Sequence, residues 1–300
     1  MASRTLFTNL PTRQIAGAAI VGVIGVGVYS RFMMSTAHAD NGAPPKAFGA
    51  GPAFLSLKLV ESEVVNHNTK KLCFALPSGE HVSGLGLTSA LLTYSWPQGC
   101  WLPCVRPYTP ISDSNEPGII ELLVKKYPNG KQSTHLHSLQ PGDSLRFVTR
   151  IPGYKWETPS PDNNKPISIA LIAGGAGITP MYQLIQGILL SPETRDPTTR
   201  ITLVFGVNTD ADLLLKSEFE DLEKKFPGRF RAVYTVSNPA PGSPNRKGYV
   251  TKELLKEQGV EGVDKVFVCG PPAMEKVLVK GKSGGILGEL GFGKDQIHQF

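Results

Sequence analysis

Three short segments carry most of the chemistry this 300-residue chain offers. Arg106-Pro107-Tyr108-Thr109-Pro110-Ile111-Ser112 holds a permanent cation, an aromatic plane and two hydroxyls, stiffened by two prolines. A guanidinium is a planar fork of donors suited to a pyrophosphate. Tyrosine offers a face to a flat ring and a hydroxyl to a polar edge, and proline fixes φ so that such groups stay aimed. An arginine at a strand end that simply meets a carboxylate would read the same way. Gly174-Gly175-Ala176-Gly177-Ile178-Thr179-Pro180 lacks the Gly-x-Gly-x-x-Gly fingerprint. It does follow an apolar run and open a helical one, which is where open α/β sheets bind ligands. Cys269-Gly270-Pro271-Pro272-Ala273-Met274 has the same setting. Both turns are therefore expected at the carboxyl edge of one sheet, within reach of one ligand. The three segments point to adjacent sites for a flat anionic cofactor and a dinucleotide.

Other residues extend or limit this reading. Lys125 and Tyr127 alternate to one face of a strand over 119–127, and Gly130-Lys131-Gln132-Ser133 follows at the start of a short helix expected over 133–139. Backbone N–H groups there form an anion cradle, unless the segment is only a hairpin with a capped helix. Cys269 has no histidine close in sequence to activate it, so it reads as a contact shaping the dinucleotide site rather than as a nucleophile. His38, His67, His135, His137 and His298 form no convincing ligand pair, and Cys100 and Cys104 lack further ligands, so no metal site is expected. Four scattered cysteines do not make a disulfide framework.

Elements must position these groups. β-type runs over 54–60, 71–76, 104–109, 119–126 and 144–147, separated by Gly/Pro/Asn turns, predict a barrel or sandwich. After the proline-rich stretch 158–166 the pattern becomes strand–helix alternation, predicting a parallel sheet with strands at 167–173, 201–206, 230–236 and 266–269. Thr179 is expected to N-cap a helix with Pro180 at its first position. Ser217 and Glu220 have capping-box spacing, and Pro271-Pro272 starts another helix.

The N-terminus differs from the rest. Residues 1–39 contain three arginines and no acid, which leaves 28 basic and 25 acidic residues, a formal +3, for the remainder. The apolar run 15–29 and Ala37-His38-Ala39 fit a targeting signal with a membrane anchor over 1–40, followed by a Gly/Ala/Pro-rich linker over 41–52. No basic stripe interleaved with aromatics is present, so nucleic acid is not an expected partner.

The three motifs, in their order and spacing, resemble those of the NADH–cytochrome b5 reductases of the ferredoxin-NADP-reductase superfamily, over roughly residues 50–300. The leader and Val82-Ser83-Gly84-Leu85 are similar to the mitochondrial type of fungi and related organisms. The resemblance implies an antiparallel six-stranded FAD-binding β barrel over 53–157, a linker over 158–166, and a Rossmann-like parallel-sheet NAD(P)H-binding α/β domain over 167–300. It implies that Arg106, Pro107, Tyr108, Thr109, Leu123, Lys125, Tyr127, Lys131, Gln132 and Ser133 bind FAD, with Thr109 near flavin N5 and Lys125 also facing NADH. Gly174, Gly175, Gly177, Pro180, Met181, Ser237, Cys269, Gly270, Pro271 and Met274 would line the NADH side, with Thr179 between the two rings. Thr109, Lys125, Thr179 and Cys269 would stand nearest the reaction. Hydride would pass from NADH to FAD, and single electrons from there to cytochrome b5 or a similar acidic haem protein. The body would be held at the mitochondrial outer membrane, or in the intermembrane space, by residues 15–29. Within the superfamily the acceptor could instead be a quinone, a ferredoxin or a nitrate-reductase-like haem module. An anchored nucleotide-binding module without turnover is a third reading. Three positions depart from the family: Gln132 for Met, Ala176 for Thr, and Ser237 for the Asp that repels a 2′-phosphate. With Arg246 and Lys247 close by, the last implies relaxed selection between NADH and NADPH.

Overall fold

Alternation of apolar and polar residues builds the first sheet, in a computed structural model that describes residues 42–49, 53–97, 99–157, 167–191, 198–280 and 284–300. The expected leader (1–40) and the linker over 158–166 lie outside the described residues. Strands β1 (Leu55–Asn66), β2 (Thr69–Ala75), β3 (Ala90–Ser95), β4 (Cys104–Tyr108), β5 (Ile119–Lys125) and β6 (Ser144–Ile151) form an antiparallel sheet ordered β4-β3-β6-β1-β2-β5. β1 turns a corner. Leu55–Lys58 pair with β6, and from Leu59 the strand pairs with β2 through a register shift. Its inward leucines, Leu57 and Leu59, join Leu72, Phe74, Leu91, Ile120, Leu122 and Phe147 in one buried cluster. Pro45–Phe48, read as the end of a linker, already belongs to this body. Lys46 bridges to Val82, and Phe48 is buried with its ring edge-on to Phe147.

β3 escaped the sequence pattern because two of its three inward residues are polar. Leu91, Thr93 and Ser95 face in. Gln132, on helix α1 (Lys131–Ser138), satisfies both hydroxyls: its Nε2 donates to Thr93 Oγ1 at 2.9 Å and its Oε1 accepts from Ser95 Oγ.

The second sheet is wholly parallel. It contains β7 (Ser168–Gly174), β8 (Arg200–Val207), β9 (Phe230–Val236), β10 (Arg246–Lys247), β11 (Lys265–Cys269) and β12 (Ile297–Gln299), ordered β10-β9-β8-β7-β11-β12. The edge strands β10 and β12 are too short to show a pattern in sequence. β7 is buried on both faces, as a central parallel strand must be. Helices α2 (Ile178–Leu189) and α3 (Lys216–Lys225) cover one face. Leu254 and Leu255 of α4 (Lys252–Glu257) and Leu287 of α6 (Gly285–Glu289) pack on the other, and α5 (Pro272–Glu275) starts at Pro271-Pro272 as expected. The chain reverses direction across the sheet between β8–β7 and β7–β11, so the turns after β7 and β11 meet at the switch point.

Three helix starts differ from expectation: α1 begins at Lys131, two residues before the expected Ser133. The glycine turn is already helical from Gly175, so Thr179 lies inside α2 rather than capping it, and its hydroxyl donates back to Ala176 O at 3.2 Å. Ser217 does not cap α3. The helix begins from Leu215 in the left-handed region, and the Ser217 hydroxyl donates to Glu218. The capping box of this region stands earlier, at Thr209 and Asp212.

The halves join along a seam packed with apolar side chains. Leu87 of the antiparallel half packs where a Cβ on Gly187 of α2 would lie 2.4 Å from its Cδ1, and Ile111 and Leu123 enter the core of the parallel half. At its edge Lys125 Nζ donates to Asp212 Oδ1 at 2.7 Å, with both side chains nearly buried. Asn68 Nδ2 donates to the same oxygen at 3.0 Å, and Thr209 N and Oγ1 donate to Oδ2 at 3.1 and 2.8 Å. Burial alone would raise the Asp212 carboxyl, but hydrogen bonds from Lys125, Asn68 and Thr209 outweigh it and hold it well below the usual carboxylate range.

Because the folded value is depressed, the stability due to Asp212 should be complete above its unfolded pKa of ~3.9 and be lost as pH falls from there through the folded value. Urea midpoints between pH 6 and 3 should therefore fall more steeply for wild type than for Asp212→Asn; parallel curves would contradict this. Gly177→Ala should cost about 1–3 kcal/mol in the same assay. A Cβ there would lie 2.2 Å from the backbone oxygen of Cys269, which cannot move aside without disturbing β11.

Candidate functional site

A cleft of about 1090 Å³ runs along the seam. It exceeds the ~300–1000 Å³ usual for one small ligand. Most residues read from sequence converge on it: Arg106, Pro107, Tyr108, Thr109, Leu123, Lys125, Tyr127, Lys131, Gln132 and Ser133 from one half, and Gly174, Gly177, Thr179, Pro180, Cys269, Gly270 and Pro271 from the other.

One end is built for an anion. Arg106 is exposed at the middle of β4, and its guanidinium donates to the neighbouring Val105 O; among the described residues no carboxylate pairs with it. The simple ion-pair reading of this arginine is thereby removed. Next to it α1 begins at Gly130 without a side-chain cap and without an acidic residue in its first turn. Its first N–H groups and the exposed Lys131 thus face the cleft with their donors available. The Ser133 hydroxyl donates to Gly130 O at 3.1 Å and accepts from Tyr127 N at 3.2 Å, bracing the turn. The Gln132 side chain is committed to β3, so only its backbone is left for a ligand.

The middle of the cleft is aromatic. Burial pushes the Tyr108 phenol up to about 12, keeping it a neutral hydroxyl. Burial also raises the Tyr127 phenol, partly offset by a hydrogen bond from the Ala176 backbone across the seam. Position 176 thus meets Tyr127 through its main chain, and alanine leaves no hydroxyl there for a dinucleotide. Lys125 borders the cleft through its bond to Asp212.

At the far end the two turns of the parallel sheet pack backbone to backbone. A Cβ on Gly174 would lie 2.5 Å from Met274 Sδ, so Met274 buttresses the turn rather than lining the cleft. Gly175 has φ +53° and does not line the cleft either; Met181 is wholly buried in the core. Cys269 does line it. Burial, then Glu275, pushes its thiol up to about 12, so it is protonated and poorly nucleophilic. Ser237 ends β9 away from these residues, with its hydroxyl donating to Val207 O at 3.4 Å. Arg246 does not wait beside it uncommitted, because Glu257 holds its guanidinium through both terminal nitrogens. Asp210 organises the loop after Ser237, accepting from Ala240 N, Ser243 Oγ and Asn245 Nδ2 at 2.6, 2.5 and 2.7 Å.

Sequence reasoning missed Asp212, and it missed His298, Gln299 and Phe300, which line the cleft. The C-terminal residues arrive through β12, whose pairing puts His298 beside Phe267 and Gln299 beside Val268, next to Cys269. Their only sequence signal is a terminal aromatic, which has no meaning until the strand order is known.

Comparison with known proteins agrees with this geometry. The oxidoreductase FAD-binding domain family matches residues 56–154, and the oxidoreductase NAD-binding domain family matches 171–280. The chain is 48% identical over 292 residues to NADH-cytochrome b5 reductase 2 of Emericella nidulans, covering 92% of this chain and 87% of the relative. It is 45% identical over 324 residues to the protein of the same name from Pyricularia oryzae, covering 98% and 94%. Among solved structures, the cytochrome b5 reductase domain of Ulva prolifera nitrate reductase is similar, with a TM-score of 0.71 at 27% identity over 85% of this chain and all of that one. Two family matches in order along one chain, and relatives this similar over nearly its whole length, show that the chain belongs to the NADH–cytochrome b5 reductases, FAD- and NADH-dependent oxidoreductases.

Proposed function

We propose that this protein takes a hydride from NADH onto bound FAD and delivers single electrons to cytochrome b5 at a mitochondrial membrane. The observation that carries this reading is the single cleft of the seam, with an anion-binding end on the antiparallel half and a glycine switch point on the parallel half. FAD fits that cleft in chemistry. A guanidinium without a carboxylate partner and an uncapped helix start suit its pyrophosphate, and a neutral tyrosine suits its ring and ribityl chain. When bound, the flavin supplies the exchange between a two-electron donor and a one-electron acceptor.

The chain's own residues do the rest. Arg106, Lys131 and the N–H groups of Lys131, Gln132 and Ser133 hold phosphate. Tyr108, Thr109 and Leu123 fix the ring plane. The turns at Gly174–Gly177 and Cys269–Pro271 let a dinucleotide approach the backbone closely, and Thr179, in the cleft lining, would touch the bound ligands. Cys269 acts as a neutral wall of the nicotinamide pocket and forms no covalent bond. Coenzyme selection rests on Ser237 without help from Arg246. The missing acid lowers the barrier to a 2′-phosphate, and the Arg246 guanidinium is already held by Glu257.

Anchoring rests on the apolar run 15–29, which lies outside the described residues; among those residues no helix is long and apolar enough to cross a membrane. The mitochondrial outer membrane, with the body at its surface or in the intermembrane space, is the location this leader supports.

An anaerobic titration should bleach the flavin band with NADH. The kcat/KM ratio of NADH to NADPH should stay below about a hundredfold, ~3 kcal/mol, and Ser237→Asp should raise it by about tenfold or more. A flavin that NADH leaves oxidised would refute the reductase reading, and a wild-type ratio far above a hundred would refute relaxed selection. Carbonate extraction of mitochondria should leave the full-length chain with the membrane; release of that chain would refute the anchor.

A further inference from the structure

We propose that Asp212 is a positioning residue for hydride delivery, acting through Lys125; the proposal rests on the reductase reading above. Asp212 lies on the loop that leaves the carboxyl end of β8, on the nucleotide side of the seam. Lys125 ends β5, on the flavin side, and borders the cleft. An ammonium has three donors, and Asp212 takes one at 2.7 Å, leaving two for a ligand. The carboxylate cannot turn away. Asn68 shares Oδ1, Thr209 donates twice to Oδ2, and His67 Nε2 stands 3.8 Å from Oδ1. A neighbouring backbone bond, Asn66 Nδ2 to Ala211 O at 2.9 Å, ties the same hairpin to the same loop. The group is therefore a clasp closed from three elements: the β1–β2 hairpin, the end of β5 and the loop after β8.

Its geometric consequence is specific. With the clasp closed, the cleft-facing residues of β5 keep one position relative to the carboxyl edge of the parallel sheet, and Lys125 keeps one rotamer. A shift of about 1 Å between reacting partners can cost on the order of a hundredfold in rate. Neutralising Asp212 leaves a nearly buried ammonium that must seek water, which moves Lys125 and opens the seam.

The test uses the full-length flavoprotein as wild type, Asp212→Asn, Lys125→Met and the double variant. Asp212→Asn should retain flavin but slow bleaching by saturating NADH by about 10–100-fold. The isotope effect with NADH deuterated at the transferred position should rise, and reduction by dithionite, which needs no alignment, should be unchanged. Adding Asp212→Asn to Lys125→Met should slow bleaching no further, because the carboxylate acts through the lysine. Amide hydrogen exchange, read without turnover, should lose protection at Asn66–Asn68 and Ala211–Leu213 while both sheets stay protected. A purely structural role would instead loosen the whole protein and leave the rate per bound flavin unchanged. With wild type bleached, equal rates in Asp212→Asn, or additive losses in the double variant, would overturn the proposal alone. Failure of NADH to bleach wild type would overturn the reductase reading and the proposal with it.

Discussion

An ammonium and a carboxylate, each almost out of water, face one another across the seam between two independently patterned sheets. Charges in such a place are tolerable only together. Desolvation costs several kcal/mol per ion, and it is offset only when the lone pairs are filled by donors of good geometry. Here both Asp212 oxygens are filled by groups from different parts of the chain, and both charged side chains are nearly buried. These bonds tie the two halves together, and both ends of the cleft are built on the two sides of that seam.

Within that cleft, main chain and side chain divide the work. Anion binding at α1 and nucleotide approach at the β7 and β11 turns depend on backbone N–H groups and on close backbone contact, which tolerate changes of side chain. This accounts for one departure from the family pattern. Gln132 turns its amide inward to satisfy Thr93 and Ser95 and leaves its backbone for a ligand. Burial keeps the Tyr108 phenol in the middle and the Cys269 thiol at the far end protonated. A cleft whose buried phenol and thiol stay protonated suits a reaction whose chemistry belongs to a cofactor, with the protein aligning rings.

Segments that advertise themselves locally were legible. The Arg106–Ser112 loop, the two glycine turns and the buried run of β7 carry their meaning in residue type and short spacing, and all of them reach the cleft or its margin. Where local rules failed, a tertiary partner had taken over. Thr179 has capping chemistry but lies inside a helix that the glycine turn starts earlier, and Ser217 has capping-box spacing in a helix entered from a left-handed Leu215. β3 hid because its inward face is polar, a choice that makes sense only beside Gln132, which is 39 residues from Thr93.

The sequence by itself determined the order of β-rich and strand–helix regions, the glycine and proline turns, and the cation-bearing loop, because hydrophobic period, φ preference and side-chain donors are properties of neighbours along the chain. Tertiary structure alone decided that Asp212 meets Lys125 from 87 residues away, that the C-terminal His298–Phe300 enters the cleft beside β11, and that Arg246 belongs to Glu257. Each of these depends on which strand lies beside which. That adjacency is set by how the apolar faces of both sheets are buried together, and no local run of residues encodes it.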